Sequence, residues 1–584
     1  MTAVLGISCH FHDSAAALVI DGQVIAAAEE ERFTRRKHDA SFPTQAIDFC
    51  LRQAGITAAE LDHVAFYERP LTKLGRTLTT AAATLPGSAR TTAQSLRSWA
   101  NERLWIRSAV VDRLGVRPDS VLFVDHHASH GASAFFASPF EEASVLTVDG
   151  VGEWNTATIG LAESDFGPQG RNSLRISRAL EFPHSLGLFY SSMTDYLGFE
   201  VNEGEFKVMG MAAYGQPRYT DELHRICRVG PDGSLWLDMR YFEFHRSSRR
   251  AFSGRLVDLL GRDPRDPAIP FDTAADGAVG EYSRFYADVA ASVQVVCEDA
   301  VVAMANAAYR AHPSRNLALA GGVALNGLAN TAILERTSFE RLYIPPAPGD
   351  SGGALGAALY VYNVVLGGAR RYVGQDAYLG EQFSDQQISA VLRQWGVEYT
   401  TLDEDKLPVS IGEQIAAGKV VGWFQGRFEW GPRALGNRSI LADPRRVEMK
   451  HLINEKVKFR EQFRPFAPAV AERAAADLFD GPVDQDPTRF MLMVMPVSAL
   501  GEETLPAASH FGTARVQTVH EESSPLLSRL VDEVEGHTGQ PVVLNTSFNL
   551  KGEPMVAAPQ DALSTFMRSG LDLLVMGNHV VSKD

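Results

Sequence analysis

The first forty residues alternate between short apolar runs and polar turns. Ala3 to Ser8 is apolar, His10-Phe11-His12-Asp13-Ser14 is polar, and Ala15–Ile20 and Gln23–Ala28 are apolar runs joined by Asp21-Gly22. An Asp-Gly pair between such runs predicts a tight hairpin, because both central turn residues take positive φ. The opening therefore predicts strand, polar turn, strand, tight turn, strand. The plan partly recurs: an apolar run at Ser144–Val148, the turn Asp149-Gly150-Val151-Gly152-Glu153, and a strand over Asn155–Leu161. Two copies of strand, acidic glycine turn and strand predict a duplicated unit.

A third glycine turn, Gly321-Gly322-Val323-Ala324-Leu325-Asn326, follows the run Leu317–Ala320. Two facing halves whose turns grip phosphate are the plan of an actin-like ATPase; any α/β protein with glycine turns is the competing reading. Helices fill the gaps. Thr44–Ala54 places Ile47, Cys50, Leu51 and Ala54 on one stripe and stops at Gly55, a residue suited to ending a helix. Ser524-Pro525 starts another, with an apolar face of Leu526, Leu527, Leu530, Val531 and Val534, before a strand at Val542–Leu544. A boundary is expected near 366–383, after which a helix near Ser384–Gln394 and a strand at Val420–Phe424 restart the pattern. The stretches 69–111 and 216–283 read as insertions of the kind that recognise substrates.

Composition narrows the class. The 584 residues are 45% hydrophobic and 22% charged, ordinary for a globular protein with more than one core. No run of 18 apolar residues appears, so no membrane-spanning helix is expected; with no secretory leader pattern, the expected location is the cytoplasm. Four scattered cysteines suit a reducing compartment. A net charge of -16 argues against a general nucleic-acid binder. One region departs from that average: Arg427–Arg464 holds ten Lys/Arg against five Asp/Glu. From charge alone, a local anion site and a charge-paired helix surface are equally good readings.

Three constellations carry chemistry. His126 and His130, within Asp125-His126-His127-Ala128-Ser129-His130, would share one face of a helix, and neutral imidazoles so placed suit zinc or iron. Asp149 and Asp350 on glycine turns could complete a two-His, two-Asp set. There is no Glu after the first histidine, so the metalloprotease pattern is absent. For phosphate, no GxxxxGK[ST] sequence occurs; Gly321-Gly322 and Gly352-Gly353 could offer backbone N–H groups, and Lys207 is either a phosphate partner or a solvated lysine. The basic island places Arg433 and Arg438 in Gly431-Pro432-Arg433-Ala434-Leu435-Gly436-Asn437-Arg438-Ser439 and Lys458, Arg460 and Arg464 in a second turn. Guanidinium forks on defined turns match phosphate oxygens two at a time. Asn545-Thr546-Ser547-Phe548-Asn549 crowds polar groups at the end of a buried-looking strand.

Together these motifs resemble the NodU/CmcH-type O-carbamoyltransferase family. The resemblance rests on FHDSAAAL (11–18), AEEERFTRRKH (28–38), DHHASH (125–130), VDGVGE (148–153), SLGLFY (185–190), KVMGMAAYG (207–215), GGVALN (321–326), PPAPGD (345–350), GPRALGNRS (431–439), FRPFAP (463–468) and LNTSFN (544–549). It implies an α/β protein with an N-terminal duplicated actin-like (ASKHA) domain over residues 1–370 and a C-terminal YrdC-like α/β domain over 371–584. It also implies that the second domain makes carbamoyl adenylate from carbamoyl phosphate and ATP, with magnesium. A hydroxyl of a small molecule, a secondary metabolite such as an antibiotic, macrolide or sugar, then takes the carbamoyl group at the N-terminal metal site. On this resemblance His126, His130, Asp149 and Asp350 are metal ligands, with iron implied by relatives and zinc compatible with the donors. His12 is the base, although a turn-stabilising histidine is the alternative. Lys37, Gly150, Gly187, Lys207 and Asn326 would contact the adenylate, with Gly321 and Gly322 as further cofactor-binding candidates; Arg433, Lys458, Arg464, Arg515, Asn545 and Ser547 would hold carbamoyl phosphate and ATP.

The rivals are a metal-dependent actin-fold sugar kinase, a tRNA threonylcarbamoyl enzyme and a chaperone-like ATPase. The kinase leaves residues 380–584 idle, the tRNA enzyme lacks a basic stripe, and the chaperone leaves the arginines without work. The acceptor and the oligomeric state are not readable from the chain.

Overall fold

The computed structural model describes residues 1–101, 103–167, 171–247 and 249–583. Three strands open it as the hydrophobic pattern predicts: β1 (Ala3–Ser8), β2 (Ala15–Ile20) and β3 (Gln23–Glu29), with Asp21 and Gly22 both at positive φ in the hairpin turn. β4 (His63–Phe66) and β5 (Val121–Phe123) complete a sheet of order β3-β2-β1-β4-β5. The first two junctions are antiparallel and the last two parallel.

The second sheet repeats this arrangement. β6 (Glu142–Val148) pairs antiparallel with β7 (Asn155–Ser164), and β7 with β8 (Asn172–Glu181). On its other side β6 pairs parallel with the strand Asn316–Ala320, which pairs parallel with Arg341–Tyr343. Two sheets of identical order and polarity are the duplicated actin-like architecture. The helices His126–Phe135 and Asp350–Tyr360 pack on each other between the sheets. The turns after β1, β5, β6, Asn316–Ala320 and Arg341–Tyr343 carry His12, His126, Asp149, Gly321-Gly322 and Asp350 in turn. Ligand sites of open α/β sheets lie at such carboxyl ends of strands.

The segment 366–384 contains neither helix nor strand. Beyond it a mixed nine-stranded sheet runs from Thr400–Thr401 at one edge to Met493–Pro496 at the other. Val421–Phe424, Arg438–Ala442 and Val542–Ser547 lie side by side within it. The helix Pro525–Thr538 lays Leu527, Leu530, Val531 and Val534 on one face of the sheet, and each such side chain contributes about 1.5–3 kcal/mol by leaving water. The helices Asp385–Gln394 and Pro559–Met567 cover the other face.

The two expected insertions are structured. Residues 69–111 hold the helices Pro70–Thr84 and Ala89–Asn101 and the start of Ile106–Leu114. Residues 216–283 hold the helix Thr220–Ile226, a short hairpin of Cys227–Val229 with Leu235–Leu237, and the helix Gly254–Leu260. They also hold the start of the 35-residue helix Gly277–Ala311. That helix has buried residues on all its faces, so it shows no polar stripe to betray its period.

The first and last portions of the chain are stitched together. The N–H of Gly431 donates to Glu29 Oε1 at 2.8 Å, while Arg32 Nη2 donates to the Gly431 carbonyl at 2.6 Å. Arg35 donates to the carbonyls of Met555 and Pro554 at 2.5 and 2.9 Å. Gly431 has φ +103°, and a side chain there would meet the Pro346 carbonyl oxygen at 2.4 Å, so only glycine fits this seam.

Candidate functional site

The carboxyl ends of the strands bring His126, His130, Asp149 and Asp350 together, although up to 224 positions separate them in the sequence. One donor atom from each lies within 4.8 Å of the others, and all four residues are buried. The helix begins at His126, so His126 and His130 stand one turn apart on one face, as their spacing predicts. Their Nε2 atoms are 3.1 Å from each other; His126 Nε2 is 3.1 Å from Asp149 Oδ2 and 3.7 Å from Asp350 Oδ1, and His130 Nε2 is 3.6 Å from Asp350 Oδ1. Burial opposes charging His126, but the bond to Asp149 and the charge of Asp350 outweigh it and raise its pKa to about 9. Burial pushes both carboxyls up; Asp149 is pulled well below the usual carboxylate range by the His126 bond and the charge of His130, and Asp350 is lowered by the His130 bond and the charge of His126.

Surrounding groups fix these side chains. Glu153 accepts from the His126 N–H at 3.1 Å and from the Arg69 N–H at 2.8 Å, tying the helix start to the first insertion. His127 faces away from the cluster, bonded to Thr147 Oγ1 at 2.6 Å and the Asn155 carbonyl at 2.8 Å. Gly187 lies against Asp149 and Gly150, where a side chain would meet the Asp149 carbonyl oxygen at 2.7 Å. Ser185 Oγ donates to the Gly150 carbonyl at 2.6 Å and caps the helix Leu186–Tyr196 through the Leu188 N–H.

His12 stands on the β1–β2 turn beside this cluster, partly exposed, with Nδ1 2.9 Å from Asp13 Oδ2. Asp13 Oδ1 holds His38 Nδ1 at 2.7 Å, so one carboxylate serves two imidazoles. Burial would lower the His12 pKa; the Asp13 bond and the nearby Asp350 and Asp149 carboxylates raise it to about 9 instead. Two expected cofactor contacts also have partners within the chain. The Gly322 N–H donates to Asp149 Oδ1 at 2.8 Å, so it positions a carboxylate. Asn326 caps the helix Gly327–Arg336 and exchanges hydrogen bonds with Gln294 at 3.0 Å.

A second cluster gathers five cations. Half-buried Arg433, Arg460, Arg464 and Arg515 approach one another and buried Lys458. Burial and the charge of Arg464 lower Arg433 to about 10; burial and then Arg433, Arg460 and Arg464 push Arg515 well down. Lys458 is lowered by burial and by Arg460, Arg464 and Lys37, the last from the first portion of the chain. The Nε atoms of Arg433 and Arg515 are buried without a hydrogen-bond partner. Lys458 Nζ donates among Ser547 O, Ser547 Oγ, Asn549 O and Asn549 Oδ1 at 2.6–3.1 Å. Asn545 Nδ2 donates to Gln517 Oε1 at 2.7 Å, and its buried Oδ1 has no partner. Lys207 reaches Glu461 at 3.9 Å, Lys37 bonds Glu203, and Arg464 stacks on Phe206, so cations from both portions converge.

Sequence reasoning left Arg460 without a role, and it missed Glu429, which organises the arginine loop. Buried Glu429 accepts the N–H groups of Leu435, Asn437 and Arg438 at 2.8–3.1 Å with one oxygen. An acid two residues before Gly431-Pro432 in a glycine-rich turn was the available signal.

The carbamoyltransferase N-terminus family model matches residues 3–359, and the carbamoyltransferase C-terminus model matches 412–583. The chain belongs to the carbamoyltransferase family. It is 42% identical to an uncharacterized protein of Synechocystis sp., over 100% of this chain and 97% of that one. It is 35% identical to nodulation protein NolNO of Sinorhizobium fredii over 98% of this chain and 79% of that one. It is 28% identical to nodulation protein U of the same organism, over 93% and 92% respectively. This carbamoyltransferase therefore places its four-residue His/Asp cluster and His12 within the N-terminal match, and its arginine cluster within the C-terminal match. Among its described residues no helix is long and apolar enough to cross a membrane.

Proposed function

We propose that this carbamoyltransferase activates carbamoyl phosphate with ATP at the arginine cluster, in a YrdC-like domain over 371–584. It then delivers the carbamoyl group to a small-molecule hydroxyl in the actin-like domain over 1–370. The observation that carries the reading is five cations beside the carboxylate of Glu461, with buried guanidinium nitrogens left unpaired. Unpaired buried charge is costly, and a phosphate-rich ligand supplies the missing acceptors. Arg433, Lys458, Arg464 and Arg515 hold phosphoryl oxygens, with Arg460 beside them, while Asn545 and Ser547 fix the carbamoyl end. Carbamoyl phosphate gives up its phosphate to water, and the carbamate oxygen attacks the α-phosphorus of ATP and expels pyrophosphate. Lys37, Lys207 and Arg464, where the two portions meet, then hold the adenylate phosphate.

His126, His130, Asp149 and Asp350 would hold a divalent transition metal. Two nitrogens and two oxygens converge within 4.8 Å, a donor set that suits iron or zinc. When bound, such an ion supplies Lewis-acid charge next to the adenylate. Asp13 fixes His12 through Nδ1, and in its neutral form, populated as pH rises towards about 9, His12 removes the proton from the acceptor hydroxyl at Nε2. The hydroxyl oxygen attacks the carbamoyl carbon, and AMP leaves. Passing the adenylate inside one protein limits its loss to water. The acceptor class is a secondary metabolite, such as an antibiotic, macrolide or sugar.

Pyrophosphate release from ATP, measured without acceptor, tests the activation step. It should require carbamoyl phosphate and vanish in Arg433→Ala. Release that ignores carbamoyl phosphate, or survives in that variant, would overturn it.

A further inference from the structure

The two insertions meet on the outside of the actin-like portion. An open surface depression of about 700 Å³ is lined by Trp236, Asp238, Arg240, Arg246 and Arg255, with His184 at one wall. A second, of about 460 Å³, is lined by Arg90 from the first insertion and by Glu243, Arg246 and Arg249 from the other. Arg246 borders both, so the two depressions adjoin along one arginine-lined groove face. Five arginines thus face two carboxylates on a chain whose net charge is -16. Asp238 neutralises Arg240 through a fork of hydrogen bonds at 2.5–3.1 Å, and Glu243 holds Arg246 at 3.1 Å. Arg90, Arg249 and Arg255 supply the positive excess.

Beside these charges Trp236 is 41% exposed and leaves ring surface open to the groove. Arg228 braces it at 4.9 Å from the ring centroid, and the His184 ring lies 6.2 Å away. A braced aromatic plate next to guanidinium groups is the chemistry that binds a ring carrying phosphate: the plate takes the ring and the forks take the oxygens. His184 joins the groove to the reaction site. Its Nδ1 accepts the Leu237 N–H at 3.1 Å, its carbonyl accepts Thr156 Oγ1 at 2.6 Å, and its neighbour Ser185 holds the turn at Gly150. Arg76, stacked on Phe182 at 5.2 Å, links the same loop to the first insertion.

We infer that this groove binds a phosphorylated sugar, with the ring on Trp236 and the phosphate among Arg246, Arg255 and Arg90. On the carbamoyl-transfer reading, on which this role rests, the sugar belongs to the acceptor. The source of the phosphate is a sugar monophosphate or a nucleoside diphosphate sugar, which share this chemistry.

The test is calorimetric and fluorescence titration of the full chain at about 50 mM salt with glucose 1-phosphate, UDP-glucose and glucose. Wild type, R246E, R255E and W236A are compared, with circular dichroism confirming that each variant is folded. Either phosphorylated probe should bind and quench tryptophan emission, and R246E and R255E should each weaken it at least about tenfold. W236A should lose most of the quench, and glucose should bind far more weakly. The stronger of the two phosphorylated probes identifies the source. Binding equal in the charge-reversed variants, equal binding of glucose, or no binding of either phosphorylated probe would overturn the site. Wild-type pyrophosphate release, measured alongside, separates the two failures: its absence with intact sugar-phosphate binding sinks the activation reading and leaves the groove standing.

Discussion

The His126 cluster and the arginine cluster are both polar sites set into apolar surroundings, but they balance charge in opposite ways. Around His126, two imidazoles meet two carboxylates within 4.8 Å, so the attraction between neighbours offsets burial. Around Arg433, cations crowd cations, and burial and repulsion act in the same direction on Arg433, Lys458 and Arg515. The first site sets carboxylates against imidazoles within itself; the second has no comparable internal counter-charge and calls for an anion. Stability should therefore track the first and ligand binding the second.

The largest effect that could break this contrast is loss of Asp149. Asp149→Ala leaves His126 and His130 facing Asp350 alone, and removing one partner of a buried charge set costs about 3–5 kcal/mol. Thermal unfolding should show a lowered Tm, elemental analysis no bound transition metal, and transfer assays no product. A wild-type Tm in this variant would erase the distinction. Arg515→Ala should do the reverse: carbamoyl-phosphate-dependent pyrophosphate release falls by about 100-fold or more, while Tm stays at or above that of wild type because a repelled buried charge is gone. Wild type should in turn gain about 2.7 kcal/mol at a hundred times the Kd of its activating substrates, read as a raised Tm, and Arg515→Ala should lose that gain.

The contact between the two portions gives a pH test. His510 Nε2 donates to the Gly210 carbonyl at 2.9 Å, and Lys450 lies 3.5 Å from Nδ1. Burial, with help from the Lys450 charge, lowers its pKa to about 4. The unfolded chain then binds the extra proton first, so stability from this residue is full above about pH 6.5 and falls as pH drops towards 4. Denaturant unfolding should lose on the order of 3 kcal/mol across that window. His510→Gln, which keeps the amide donor but cannot titrate, should flatten the loss. The smallest effect is expected from Ser547→Ala: Lys458 keeps three other oxygens within 3.0 Å, so KM for carbamoyl phosphate should rise by no more than about tenfold.

Local rules made much of the framework readable. The Asp21-Gly22 hairpin and the helix Thr44–Ala54 with its Gly55 stop follow from residues next to one another, and both lie where the pattern puts them. The sheet orders depend on long-range pairings, such as Ser144 of β6 with Leu317 of the strand Asn316–Ala320, so only the repeated turns hinted at them. The helix Gly277–Ala311 was hidden by its own burial, and the helices of 69–111 by a mixed composition. At the site, His126 and His130 announced themselves by spacing and Asp149 and Asp350 by their glycine turns, but the four meet only in the folded chain. Asn326 can be read either way, because an asparagine after a glycine turn serves equally as a helix cap or a ligand contact; in the folded chain it caps the helix Gly327–Arg336.

The seam at Gly431 bears on how such a chain can be recombined. Glu29 and Arg32 grip one glycine some four hundred residues away, and that glycine fits only against the backbone at Pro346. A chimera that joins the front of this chain to the back of a distant relative inherits a working joint only if all of these positions descend together. Each portion has its own sheets, yet the two form a single unit of inheritance.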